Sequence, residues 1–391
     1  MSDGEHAGGE LGHHLDAVRL IDHHVHGAFN TDLDRAQFEV FLNEGSPDPI
    51  PDWMTQFDSQ LGFAIRRWCS PVLDLAPHAS ADEYWSRRQE LGLQEVTSRF
   101  LPAAGVSDWV LDTGFASDSV LDLASMASAS GGRVHEIVRL ESLAEDIAAQ
   151  GVPGREYAEV FQSRLAEATE RAVGVKTILA YRSGFDLDLR RPEPSAVALA
   201  ADRWIDSGGT GSPRLTDPVL LSFGLHAALD RGLPIQIHTG FGDRDLDLDK
   251  ANPILLLDFL RTARATDVPI MLLHCYPYHR EAGYLAQAFN NVYFDVGLAL
   301  NYLGVRGVEV VAESFEVAPF AKQLYSSDAW GPVELHYLGA VLWRRAMKAV
   351  LGRWVEAGDW SSADAVRVVD MVARENAARV YGLCADQRSA R

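Results

Sequence analysis

The chain has 391 residues, 47% hydrophobic and 23% charged, the composition of a globular protein with room for a sizeable core. Its formal net charge of -20, from 35 basic and 55 acidic residues, repels phosphate and excludes non-specific binding to nucleic acid or an anionic membrane surface. Three well-separated cysteines, Cys69, Cys275 and Cys384, without CxxC or zinc-finger spacing, predict reduced thiols in a cytoplasmic protein, and no run of about 18 apolar residues predicts a membrane span.

Residues 1–13, rich in Gly and His, read as a loose tail without the basic and apolar regions of a signal peptide. A first strand follows in "AVRLIDHHVHG", ending near His26. From 27 to 107 no buried strand is evident. Helical patterns dominate, and Ser80 with Glu83 has the spacing of a capping box. This stretch reads as a helical insertion, a lid over one end of a single domain spanning 1–391. Its aromatic and basic residues, Trp53, Phe57, Phe63, Arg66, Arg67 and Trp68, are the lid's candidate working face.

Strand and helix signals then alternate. Apolar runs occur at 108–114, 133–141, 172–182, 233–240, 268–276, 291–299 and 322–329. Helical segments separate them, one starting at Thr216 or Asp217 with Pro218. With the first strand this makes about eight strands alternating with helices. That count, and the lack of GxGxxG after the first strand, predict an α/β fold of the (β/α)8 or TIM-barrel type rather than a doubly wound sheet. The segment 362–383 reads as a closing helix.

In such a barrel the side chains at the C-terminal strand ends converge on one site. His24 and His26 share a face of strand one by the two-residue period. Strand four carries Lys176 inside an apolar run, strand five ends in His238, strand six in His274 and strand eight in Asp328. Imidazole and carboxylate suit Zn, with Mn or Fe as alternatives. Taken singly, these residues read as satisfied core histidines, a helix cap at Asp328, or a lysine paired with a carboxylate such as Glu141. As an ordered set they predict a divalent-metal site. Tyr181, Arg182, Tyr276, His279 and Trp330 lie just beyond strand ends and are candidate substrate contacts.

"IDHHVHG", "QIHTG", "LLHCY", "YSSDA" and "RENAARVYGL" resemble the signatures of the amidohydrolase superfamily of metal-dependent hydrolases. The narrower stretches "IQIHTGFGDRDLDL", "LLHCYPYHREAGYLA" and "LYSSDAWGPVEL" resemble the amidohydrolase half of FluG-type and nodulin-type proteins. The resemblance implies one or two metals held by His24, His26, Lys176, His238, His274 and Asp328, with Asp328 and His274 as catalytic groups. "VKTILAYRSG" is similar to the strand-four segment of the hydantoinase branch, which implies a carboxylated Lys176 bridging two metals. It further implies hydrolysis of an amide or other C–N bond of a small molecule, with a γ-glutamyl amide as one substrate by analogy. A single-metal decarboxylase and a catalytically silent scaffold are the rival functions. Homo-oligomerisation is left open by the sequence.

Overall fold

The computed structural model describes residues 2–207 and 214–383. Seven strands follow one another in the sheet in chain order: β1 (Leu20–Val25), β2 (Val106–Asp112), β3 (Arg133–Arg139), β4 (Gly174–Thr177), β5 (Ile235–Thr239), β6 (Ile270–His274) and β7 (Val292–Phe294). Pairing is parallel between β1 and β2 and along β3 to β7. Every residue of β1, β4, β5 and β6 is buried. That is the pattern of parallel strands covered on both faces.

The described residues cluster into two compact units. The first lies within 1–111, 115–135 and 295–391, the second within 112–114 and 136–294. Strands β2 and β3 therefore have residues in both.

In the first unit the expected tail is instead a helix, α1 (Ser2–Ala17). Leu11 and Leu15, one turn apart, are buried and α1 packs on the long helix Val333–Glu356. Two apolar residues at i and i+4 hold down a segment whose composition reads as loose. Between β1 and β2 the assigned segments longer than four residues are helical: α2 (Arg35–Val40), α3 (Gln60–Ala64), a π-helical turn at Ile65–Cys69 and α4 (Ala81–Ala103). Ser80 and Glu83 form the expected capping box on α4. Phe57 is core, packed on Phe38 and Tyr84, whereas Trp53 and Phe63 are exposed. Arg88 of α4 meets Glu334 at 2.7 Å, and Tyr84 donates to the same carboxylate at 2.9 Å, all buried.

The expected eighth strand is not a ladder strand. Phe320–Lys322 is a 3-10 turn, and residues 323–330 are extended or irregular. The segment still lies along β1: His23 N–H donates to Tyr325 O, Asp328 N–H to His24 O, and His26 N–H to Ala329 O, at 2.9–3.1 Å. The closing helix is present as Ser362–Asp370 and Asn376–Val380, joined by a π-helical turn.

In the second unit, β3 to β7 alternate with helices. Helix Gly154–Ala168 buries Tyr157, Phe161 and Leu165 at a four-residue spacing and packs on helix Pro194–Ser207. Asp217 caps the helix that begins at Pro218. Two strands are shorter than the apolar runs suggested. After β4 the chain turns into a helical turn at Leu179–Arg182, and after β7 into a helix at Gly297–Leu303 of the first unit. Cys69 and Cys275 are buried; Cys384 lies outside the described residues. No described helix is long and apolar enough to cross a membrane.

Two expectations about stability follow. Arg88→Ala leaves Glu334 buried without its cation, and urea unfolding should report a loss of about 3–5 kcal/mol. Burial alone would raise the Asp108 carboxyl, but His135, Arg133 and Ser107 bonded to it hold it down at about 2. A depressed carboxylate stabilises above its unfolded value and loses that contribution as pH falls. Asp108→Asn should therefore remove about 1 kcal/mol at neutral pH, discounted for the half-exposed Arg133, and flatten acid unfolding between about pH 4 and 2.

Candidate metal centre

In the first unit, β1 and the residue after it read Asp22-His23-His24-Val25-His26, with all four polar side chains buried. A polar group there without a partner would cost several kcal/mol. Asp22 accepts from Ser327 N–H at 3.0 Å and from the Ser327 hydroxyl. Burial still pushes its carboxyl up to about 8. His23 lies between the Tyr381 hydroxyl and Asp295 Oδ2, 3.0 Å from each. Burial would raise Asp295 too, but His23, Gly297 and Ser326 bonded to it hold it below its usual value. Strand alternation thus sends His23 into a structural network and His24 and His26 toward Asp328.

Asp328 Oδ1 stands 2.9 Å from His24 Nε2 and 3.6 Å from His26 Nε2. The two imidazoles meet edge to face, 5.2 Å between centroids, and His336 Nε2 fixes the chain behind them through His26 O at 2.9 Å. Asp328 has φ +48°, a left-handed conformation that costs a non-glycine residue about 1–3 kcal/mol. The Asp328 N–H bond to His24 O, and that of Ala329 N–H to Ser327 Oγ at 3.1 Å, hold it there.

In the second unit, Lys176 is 2% exposed. Its Nζ faces Asp112 Oδ2 at 3.9 Å, and Arg139 donates to the same oxygen. The carboxylate opposite Lys176 is therefore Asp112, at the end of β2. Glu141 instead accepts from the Thr177 hydroxyl and from Ile178 N–H. Asp112 was missed in the sequence, although "DWVLDTG" sets it at a strand end by the same logic that selected the histidines.

The His238 and His274 rings stand 4.6 Å apart between centroids, and the Tyr181 ring lies 4.6 Å from that of His238 by the same measure. A Cβ at Gly242 would fall 2.0 Å from the Tyr181 hydroxyl and 3.2 Å from His238 Nε2, so the missing side chain leaves a cradle beside that nitrogen. His274 and Cys275 have φ +68° and +56°, with Cys275 N–H bonded to Leu273 O and Tyr276 N–H to His274 O at 2.7 Å. Two successive i to i+2 turns of this hand are rare and strained. Gly240 lets the two strand ends close, since a Cβ there would meet Tyr276 O at 2.3 Å.

Of the outer candidates, Tyr276 stacks on His279 at 6.1 Å. Arg182 pairs with Glu145 at 2.8 Å, and burial lowers its pKa. Trp330, in the first unit, packs among Phe29, Phe41 and Phe115.

A strand-end site of imidazoles and carboxylates on a parallel α/β sheet defines a class, and the chain belongs to it: the profile of the amidohydrolase family matches residues 127–383. FluG of Emericella nidulans is 30% identical over 280 residues, which cover 63% of this chain and 32% of FluG. The match thus spans about a third of that relative. A crystal structure from Lactobacillus casei ATCC 334, provisionally described as a metal-dependent hydrolase, superposes with TM-score 0.83 at 28% identity, covering 95% of this chain and 97% of the other. The uronate isomerase of Bacillus halodurans C-125 has TM-score 0.62 at 15% identity, with 98% and 97% covered; its likeness is one of fold alone.

Asparagine tolerates the left-handed region, whereas a β-branched residue does not. Asp328→Asn should keep its melting temperature within about 3 °C while divalent-metal content falls on metal analysis. Asp328→Val should lose both, with about 1–3 kcal/mol of added strain.

Proposed function

We propose that this protein is a metal-dependent hydrolase cleaving an amide or other C–N bond of a small molecule, on a sheet closed as a (β/α)8 barrel by the 323–330 segment. The observation that carries the reading is the approach of one strained carboxylate oxygen, Asp328 Oδ1, to both His24 Nε2 and His26 Nε2. Two imidazoles and a carboxylate without thiolate fit Zn, Mn or Fe. The donor set we propose in the first unit is His24, His26 and Asp328; in the second unit His238 stands beside His274. A cation held there supplies Lewis acidity, lowering the pKa of water and polarising a carbonyl.

The chain's own groups do the remaining work. Asp328 takes the proton of the attacking water and returns it to the leaving nitrogen, a role suited to a carboxylate held rigidly at hydrogen-bond reach. His274, fixed by its strained turn, steadies the carbonyl oxygen as charge develops. Lys176, opposite Asp112, favours the one-cation arrangement with an unmodified ammonium. Carboxylation of Lys176 with two cations is the other outcome of the same experiment.

Protein loaded with Zn or Mn should release amine or ammonia from members of an amide panel that includes γ-glutamyl amides. A chelator should abolish turnover, and His24→Ala or Asp328→Ala should lower it by about 10³-fold or more. Metal analysis with intact mass should give one cation and an unmodified chain, or two cations and an added carboxylate. Release of CO2 from a carboxylic acid without amine, or an isomerised product, would overturn the reading. Full folding stability without any bound cation would favour a scaffold.

A further inference from the structure

We propose that Phe115 is a specificity wall for an aryl group attached directly to the bond being cleaved, an inference that rests on the hydrolase reading above. Phe115 follows β2 and is 44% exposed. Its ring meets His26 edge to face, 5.7 Å between centroids, and Trp330 at 5.2 Å. Behind it Trp330 packs on Phe29 at 5.2 Å and on Phe41 at 5.1 Å, and those two rings touch at 4.7 Å.

The wall is rigid. Ala116, at φ +49°, turns the loop, and Ser119 N–H closes it onto Ala116 O at 2.9 Å. Leu121 N–H donates to Ala28 O at 2.7 Å, Asn30 N–H to Ser119 O at 3.1 Å, and the Asn30 amide to Asp118 O and Val120 O at 3.1 Å. Single exposed apolar residues are common and need no explanation. This one follows a hydrogen-bonded turn, continues a part-buried aromatic cluster and borders His26. A substituent one or two bonds from an atom held at His26 therefore reaches it. The aromatic surface favours a flat ring over a compact alkyl group, because aromatic pairs gain beyond buried area when offset or edge to face. The substrate class is thus an aryl amide, with the ring on the nitrogen or on the carbonyl carbon.

Calorimetric titration of the metal-loaded protein with benzohydroxamate and acetohydroxamate separates the two ideas. Benzohydroxamate should bind wild type about tenfold or more tightly than acetohydroxamate. Phe115→Ala should bring the two within about threefold, acetohydroxamate being unchanged, and Phe115→Leu should fall between. Equal affinities in wild type, or a preference unchanged in Phe115→Ala, would overturn the aryl wall. Failure of acetohydroxamate to bind would overturn the metal-hydrolase reading instead. Benzamide then decides the wall alone, by NMR saturation transfer to its ring: contact with wild type and not with Phe115→Ala sustains it, and equal contact with both overturns it.

Discussion

Four buried polar side chains in five residues at the end of one strand are the constraint on which the first unit is organised. Asp22, His23, His24 and His26 sit where a parallel strand ordinarily carries Val or Ile. Each would be ruinous without a partner, and the partners come from far along the chain: Asp295, Ser327, Asp328 and Tyr381. The stretch 323–330 is therefore irregular for a reason. It must present a serine to Asp22 and a carboxylate to His24 within two residues. A regular strand, with side chains alternating across the sheet, cannot turn neighbours to such demands, and the left-handed backbone of Asp328 is the result.

The second unit meets a similar demand at its strand ends. His274 and Cys275 are turned by strained, hydrogen-bonded backbone, with a glycine opposite at 240 where the chains touch. Strain of this kind persists only when surrounding contacts over-determine it. Left-handed backbone also occurs at the exposed residues Asp74, His78, Ala116 and Asp267; at His274 it falls instead on a buried strand end, and at Asp328 on a half-buried segment beside His24. Lys176 is buried as well, with its Nζ facing Asp112, which is itself gripped by Arg139.

Much of this was legible in the sequence. The seven parallel strands match the apolar runs, the Ser80 and Asp217 caps fall at their expected positions, and the family follows from motifs at strand ends. The misses have physical causes. Helix α1 was hidden because Gly and His dominate its composition while its stability comes from Leu11 and Leu15 against another helix. The strand after Gly174 was read too long because Ile178, Leu179 and Ala180 are apolar in helix and strand alike. Asp112 went unread because an aspartate beside Thr and Gly is the ordinary signature of a turn.

What the amino-acid order determined by itself is the alternation of elements and the two-residue period that sets His24 and His26 on one face, because both are local properties of the backbone. The partner of each buried group was decided only in the folded chain. Nothing local distinguishes Asp112 from Glu141 as the carboxylate facing Lys176, or Phe115 from any other loop phenylalanine as the ring beside His26. Those choices follow from which distant segments the packing brings within a few ångströms, and side-chain electrostatics acts only at that range.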